Sequence, residues 1–472
     1  MSAFASPLWT LIALSPLFVA TRGQRAVHAL GLGWLTGALA TFVGYAFVPP
    51  ALIASEALSP VGAWAALGGF ALFRGAWLGL AVAMGSLAGR RRSPLLVSAV
   101  MVAALELSLP NPLPFAFGSP LVIWPALAQV ASVLGEGGLT LVAALSAALI
   151  AALLAPARAD ASGEKDRTTR RPDRRIFVGR DWTVLVVGSA LLIVAISFGA
   201  LRLLASGART STGQLEATLL HTDRDPRAPG PLPELPAGAR DVLVLPESAI
   251  AETLPARDSR ALVDALYADR ASPTLLGFSE RTISGELYNV ARLTGATAGR
   301  YEKRTLLPFA EASYASGRET DPITIAGHPL TIAICSEETE AHAMRDAVRS
   351  TRGEAIVTLS NDAWFDGSVA GELHLLAARV RAIETGRSVL RASNGGVSAA
   401  IDPNGRVIAR STEAGPLDVS APFSQERTPY LRFGNAPLWL LLATLAAIAL
   451  SPLPGAKISA RASSRRGADC DA

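Results

Sequence analysis

Residues 330–338 read LTIAICSEE, residues 241–248 DVLVLPES and residues 355–361 AIVTLSN, and these three runs decide the fold. Each begins as a short apolar run rich in β-branched residues and stops abruptly at polar ones. A run that short, apolar on both faces, reads as a strand buried on both sides. Helical patterns lie between and after them. In residues 372–386, Leu375, Leu376, Val380 and Ile383 share one face, with Arg379 and Arg381 elsewhere. Strands separated by helices imply an α/β domain with a layered sheet core. Residues 205–435, which contain all of this, are polar, broken by Gly and Pro turns, and long enough for one core.

Outside that stretch the chain changes character. Of its 472 residues 50% are hydrophobic and only 17% charged, with mean hydropathy +0.35. Soluble domains carry about 25% charged residues. The balance therefore points to a membrane protein, and away from a disordered chain or a nucleic-acid-binding domain, despite a net charge of +4. Seven runs approach the roughly 20 apolar residues that cross a hydrocarbon core of about 30 Å. They are 1–20, 26–48, 61–87, 93–109, 139–154, 182–204 and 437–453, the fourth, fifth and seventh being short. The first lacks the basic n-region and small-residue cleavage site of a signal peptide, and is expected to be a span.

The loops predict the orientation. Arg22 and Arg25 follow the first run, and Arg90, Arg91 and Arg92 the third. Residues 155–181 hold eight basic residues and the C-terminal tail four, making seventeen against none in residues 49–60 and 110–138. Lys and Arg collect on the cytoplasmic side, so the N-terminus is expected outside, the C-terminus inside, and residues 205–435 on the outer face. Three units follow: a bundle over 1–204, an extracytoplasmic domain over 205–435, and a last span with a basic tail over 436–472. Arg74 and Glu106 lie inside spans, where lone charges are costly, and are expected to pair.

Two cysteines exclude a disulfide scaffold, and no Cys/His spacing suggests zinc. Among 43 basic residues only Lys165, Lys303 and Lys457 are lysines, so Lys303 stands alone in its domain. Arg is a planar fork, whereas Lys is a compact point charge whose pKa shifts readily. A site needing the latter would keep it. Glu247, Lys303 and Cys335 each sit at the end of a strand or just beyond one. A thiolate attacks a carbonyl once a carboxylate base has taken its proton. An ammonium beside it holds the developing oxyanion and favours the thiolate. Taken singly, each has a simpler reading: Cys335 as a small apolar filler, Glu247 as a surface carboxylate, Lys303 as a solvated charge.

The order LPESAI, YEKRTLLPFAE, ICSEE and SNDAWFDGS resembles the nitrilase superfamily. With membrane spans on both sides, the chain is most similar to the apolipoprotein N-acyltransferase family. The resemblance runs along nearly the whole chain, through PNPLPFAFGSPLVIWPALAQVASVLGEGGLTLV and HLLAARVRAIETGRSVLRASNGGVSAAIDPNGRV. It implies a polytopic α-helical membrane bundle plus an α/β nitrilase-like domain, an α-β-β-α sandwich. The implied reaction is a two-step acyl transfer at the outer face of the bacterial inner membrane. Cys335 attacks an acyl ester of a phospholipid, typically phosphatidylethanolamine, giving a thioester, and the α-amine of a diacylglyceryl-modified apolipoprotein takes the chain. Glu247 carries over as base and Lys303 as the oxyanion cation, while Glu311 and Glu337 match supporting acids. Asn361, Trp364 and Phe365 belong to the family's loop beside the site, read equally as a turn or as substrate contacts. The family needs no metal or dissociable cofactor, and nothing here suggests a nucleic-acid partner.

Departures bear on activity. Ser336, a candidate substrate contact, replaces the family's Tyr after the nucleophile, Leu245 its Trp before the base motif, and Ala310 its Gly. The stretch from Glu311 to Cys335 is shorter than usual, and one of eight customary spans is missing from the pattern. A membrane-bound nitrilase-like amidase or esterase, or a non-catalytic lipoprotein- or lipid-binding paralogue, therefore remain alternatives. His374 is expected to cap or pack, Asn394 and the glycines after it to form a turn, and Cys470 to be an inert tail thiol.

Overall fold

The computed structural model describes residues 6–89, 92–111, 115–154, 181–205, 211–227, 235, 238, 240–267, 272–294, 299–318, 321–365 and 367–451. Most of the 155–181 basic cluster, the basic tail, Arg90, Arg91 and Cys470 lie outside the described residues.

Among the described residues four helices are long and apolar enough to cross a membrane: Ala26–Gly44, Pro60–Leu87, Glu136–Leu153 and Val184–Ala205. Pro94–Ser108 and Ala436–Leu450 are apolar but shorter, at 15 residues each. The expected first span differs more. Its described part forms two short helices, Pro7–Ile12 and Ser15–Thr21. Pro16 has no N–H to bond the Ile12 carbonyl and so interrupts the ladder. The Ser15 hydroxyl donates to that carbonyl instead, at 2.7 Å. Ala26–Gly44 and Pro60–Leu87 cross at backbone contact. A Cβ on Gly75 would lie 2.5 Å from the Trp34 carbonyl oxygen, so only glycine permits this approach. Arg74 and Glu106 pair as expected, at 3.4 Å.

The polar stretch forms two sheets. The first contains β1 (Ser211–His221), β2 (Val242–Val244), β3 (Leu254–Pro255), β4 (Thr274–Arg281), β5 (Leu287–Leu293) and β6 (Gly299–Glu302). The second contains β7 (Thr324–Ile325), β8 (His328–Ile334), β9 (Ala355–Asn361), β10 (Ser388–Asn394), β11 (Ser398–Ile401) and β12 (Val407–Ser411). The last strand, β13 (Gly415–Ser424), returns to the first sheet, whose order is β13-β1-β2-β4-β5-β6 with β3 beside β4. The second runs β12-β11-β10-β9-β8-β7. β8, β9 and β10 are parallel, as are β1, β2 and β4.

The facing sides share one apolar layer, with Leu219, Val242 and Val244 meeting Ile332, Ile334, Val357 and Leu390. On the outer side of the first sheet, Leu243, Leu276 and Val290 pack against Val263 of helix Ser259–Leu266. On the outer side of the second, Ile356 and Val389 pack against Met344 and Val348 of helix Ala341–Thr351 and against Leu375 and Ala378 of helix Ala370–Thr385. This is the nitrilase-like α-β-β-α sandwich, its strand runs falling where the apolar patterns place them.

Helix Ala370–Thr385 corrects the amphipathic reading. Leu375, Ala378 and Ala382 face the sheet, while Leu376, Val380 and Ile383 pack on Leu121, Leu127, Val130 and Leu139 beside the membrane helices. Arg381, read as lying off the apolar face, is 1% exposed and pairs with Glu136 at 2.8 Å and Glu384 at 3.1 Å. The helix is enclosed because the helical bundle covers the side that a free sandwich would turn to water.

Candidate active site

Glu247 lies three residues beyond β2, Lys303 directly after β6, Cys335 directly after β8, and Asn361 at the end of β9. The carboxyl ends of parallel strands meet at one pole of the sandwich, where backbone leaves the ladder and side chains can converge. The structure thus brings together residues separated by up to 114 positions, from Glu247 to Asn361.

Glu247 is buried, and its Oε1 accepts hydrogen bonds from Asn289 Nδ2 at 2.7 Å and from Lys303 Nζ at 3.5 Å. The Cys335 thiol, on the same side, favours the ionised form of this carboxylate. Lys303 Nζ donates to Glu311 Oε1 at 2.7 Å, and Glu311 Oε2 accepts from the Leu307 N–H at 2.8 Å. Glu311 therefore ties the cation to the loop that follows it. Two of the three ammonium N–H groups are engaged in this way, leaving the third to serve the cavity.

Glu337 does different work. Its Oε2 accepts from the Ile334 N–H at 2.9 Å, and its Oε1 from Arg304 N at 2.8 Å and Thr305 N at 3.1 Å. The Tyr301 hydroxyl completes the shell. One buried carboxylate thereby staples the residue before the thiol to the residues after the lysine, which sets the Lys303–Cys335 separation.

Electrostatics follow from this burial. Desolvation pushes Glu247 above the ordinary carboxylate range, with Lys303 and the Asn289 hydrogen bond opposing and Glu311 adding to the rise. Burial alone would lower the Lys303 ammonium, but Glu247, Cys335 and Glu311 outweigh it and hold the group well above its usual value. Burial pushes the Cys335 thiol up, Glu247 reinforces that, and Lys303 opposes it. Burial thus disfavours charge on both the thiol and Glu247, while the carboxylates around Lys303 hold its charge.

The backbone is strained at the same place. Cys335 (φ 51°), Ser248 (φ 55°) and Phe309 (φ 66°) are three of six described non-glycine residues in the left-handed region, and all three border one cavity. Each such residue costs on the order of 1 kcal/mol or more and persists only where its surroundings enforce it. Gly277 of β4 enables one of these turns, because a Cβ there would lie 2.8 Å from the Glu247 Cα.

The cavity, of about 480 Å3, has two unlike walls. Glu247, Lys303, Glu311, Cys335 and Asn361 form one, with Trp364, Phe365 and Tyr314 beside them. Val48, Ala51 and Leu52 of helix Val48–Ala54, with Ala66, Leu67 and Phe70 of helix Pro60–Leu87, form the other. An apolar chain can lie on the second wall while its carbonyl reaches the first. Among the described residues no group of three His, Cys, Asp or Glu side chains is placed to hold a metal.

Two expectations change. Ser336 does not border the cavity; its hydroxyl is buried with no hydrogen-bond partner among the described residues. The turn begun by the left-handed Cys335 sends the next side chain into the interior. Asn394 closes no turn: it accepts from Thr222 Oγ1 and donates to Asn361 Oδ1 at 2.8 Å, joining three segments, while Gly395 and Gly396 turn the chain. His374 packs, as expected, donating or accepting at 2.8 Å with Asp362 and stacking on Phe115. Asn289 was missed. Its only signal was an amide in the middle of the apolar-rich run 287–293, and such a residue in a buried strand needs a polar partner.

Residues 236–420 match the family model described as carbon-nitrogen hydrolase, so the chain carries a carbon-nitrogen hydrolase domain. Similar curated proteins include the apolipoprotein N-acyltransferase of Vibrio vulnificus, 30% identical over 243 residues, covering 44% of this chain and 47% of that one. That of Nitrosomonas europaea is 30% identical over 214 residues, covering 40% and 42%. The matches thus span less than half of these relatives' length, and less of this chain than the resemblance read from its sequence. Among solved structures, a CN-hydrolase superfamily protein from Xanthomonas campestris aligns with TM-score 0.37 and 21% identity, covering 49% of this chain and 97% of that one. A member of branch 10 of the nitrilase superfamily from Saccharomyces cerevisiae aligns with TM-score 0.36 and 16% identity, covering 45% and 91%.

Proposed function

We propose that this chain, with its carbon-nitrogen hydrolase domain set against apolar helices, is an apolipoprotein N-acyltransferase. It moves a fatty acyl chain from a phospholipid, through a thioester on Cys335, to the N-terminal amine of a diacylglyceryl-modified apolipoprotein. The observation that carries this reading is the two-walled cavity, in which Cys335, Glu247, Lys303 and Glu311 face an apolar surface contributed by the span Pro60–Leu87 and the short helix Val48–Ala54 before it. A hydrolase of small amides has no use for that second wall. The loop charges support an outer-face domain over residues 205–435, held by a bundle over 1–204 and a last span in 436–472, in the bacterial inner membrane. Phosphatidylethanolamine is the donor we favour.

In the first step the Cys335 thiol gives its proton to Glu247 as sulfur bonds to the ester carbonyl carbon. The carbonyl oxygen becomes an oxyanion beside the Lys303 ammonium, an arrangement worth most in a water-poor site. As the intermediate collapses, the ester C–O bond breaks and the Glu247 proton passes to the departing oxygen, releasing lysophospholipid. In the second step Glu247 takes a proton from the incoming amine, nitrogen bonds to the thioester carbon, and the sulfur leaves and regains its proton. Glu311 and Glu337 act as positioning residues, holding Lys303 and the Cys335 turn. Trp364 and Phe365 supply aromatic surface to the substrate.

The test is intact mass of the purified protein after incubation with phosphatidylethanolamine, beside C335A. A hydroxylamine-sensitive acyl adduct on the wild type alone is expected, discharged by a diacylglyceryl-cysteine peptide. Free fatty acid with no transfer to the peptide would make the protein a hydrolase. Neither adduct nor fatty acid would leave a binding protein.

A further inference from the structure

We infer that Phe70 is the end-stop of the acyl wall and sets the longest acyl chain the site accepts; the inference rests on the acyl-transfer reading above. The apolar wall follows one face of helix Pro60–Leu87 through Ala66, Leu67 and Phe70, and no later residue of that helix borders the cavity. Ala66 and Ala51, both small and both in the lining, leave room for a polymethylene chain. Phe70 is the first bulky ring in that direction along the helix. It is held in place: the Tyr45 ring meets it edge-on at 5.4 Å between centroids.

Beyond Phe70 the chemistry changes. One turn further on, the Arg74 guanidinium lies 5.9 Å from the Phe70 ring centroid and 5.0 Å from that of Trp77. Arg74 pairs with Glu106, which also accepts from the Phe117 N–H at 2.9 Å and from Thr140 Oγ1. A methyl end driven past Phe70 would meet this partly buried ion pair and disturb partners that hold charge in a low-dielectric bundle, where lost partners cost most. Apolar contact is gained as far as Phe70, and none is gained after it. The occupant that matches a wall of this kind, with an ester-reactive thiol at its other end, is a single fatty acyl chain of a bilayer lipid.

The experiment is thioester formation, read by intact mass, with phospholipids of one headgroup and graded acyl length, on wild type, F70L and F70W. Both substitutions keep the position apolar. F70L is expected to raise the long-to-short acylation ratio, and F70W to lower it. The change is roughly tenfold for two methylenes gained or refused, each being worth about 0.8 kcal/mol on burial. A variant that merely perturbs folding would depress every length alike and leave the ratio unmoved. Adducts on all three proteins with one unchanged length profile would overturn the end-stop and leave the transferase reading standing. No adduct on the wild type with any donor would overturn the transferase reading, and the end-stop with it.

Discussion

Two buried charge clusters lie at the same pole of the sandwich and behave differently. In one, Lys303 sits between Glu247 and Glu311, at 3.5 and 2.7 Å. In the other, Arg391 sits between Asp362 and Glu338, at 2.7 Å to each. Burial would raise both Asp362 and Glu247. For Asp362 it is outweighed by Arg391 and His374, which hold that carboxyl well below the usual range. Ser360 donates a further hydrogen bond to it, and Arg391 also bonds the Val397 carbonyl. Glu247 has a more distant cation shared with a nearer carboxylate, and burial wins. Similar ingredients therefore give a locked ionic brace in one place and, in the other, a base able to accept a proton. The difference lies in distance and company: Asp362 has its cation at 2.7 Å and His374 beside it, whereas Glu247 has its cation at 3.5 Å and a second carboxylate closer to that cation.

Breaking the brace should be the larger perturbation of the fold. R391M leaves Asp362 and Glu338 buried without their cation, and should cost about 3–5 kcal/mol of stability. A thermal unfolding midpoint matching that of the wild type would show that the cluster carries no such burden. At the other cluster the loss should fall on turnover. K303M should slow thioester formation by roughly 10²–10³, about 2.7–4 kcal/mol of transition-state stabilisation. K303R should not restore the rate, because a planar fork does not reproduce a compact ammonium wedged between two carboxylates.

Asn289 offers a finer probe. Its hydrogen bond favours the ionised form of Glu247. A bond to a charged group is worth about 1.5–3 kcal/mol. The wild-type acylation rate should rise with pH as Glu247 loses its proton, with a limb above the unperturbed carboxylate value of 4.5. In N289A that limb should move to still higher pH. A limb that stays in place while the maximal rate falls would assign Asn289 to packing alone.

A separate effect, on stability and not on turnover, belongs to the joint between sandwich and bundle. Burial pushes Glu384 up to about 7 from an ordinary 4.5, Arg381 opposing and Glu136 reinforcing. The folded state therefore keeps a proton that the unfolded chain releases. Its contribution to stability is complete below about pH 4.5 and is lost as pH rises through about 7. E384Q should flatten that part of the stability-against-pH curve, measured by unfolding at a series of pH values. An unchanged slope would place the dependence elsewhere.

Much of this was legible in the chain. The runs DVLVL, LTIAI and AIVTL, and the apolar stretches between Arg-rich loops, report burial through local pattern, which needs no knowledge of partners. Glu247, Lys303 and Cys335 could be singled out because each stands at or just past a strand end, and because Lys303 breaks the arginine bias. The Arg74–Glu106 pair followed from the cost of lone charges in lipid. Less accessible were contacts whose two halves carry no matching local signal. Asn289 meets Glu247 across 42 positions, and Arg381 meets Glu136 across 245. Periodicity marked one face of helix Ala370–Thr385; the second became interior only because the bundle lies against it.

The amino-acid order alone marked the apolar segments and the strand runs DVLVL, LTIAI and AIVTL, and singled out Glu247, Lys303 and Cys335 as candidates. These are properties of a residue and its near neighbours, set by hydrophobic period and functional-group chemistry. Tertiary structure alone decided that Ser336 turns inward, that Glu337 staples rather than reacts, and that Glu247 rises while Asp362 falls. It also decided that the second wall of the cavity comes from helices Val48–Ala54 and Pro60–Leu87. Those outcomes depend on distance and dielectric between groups far apart in the chain, and both come into being only when the sheets and the bundle close on one another.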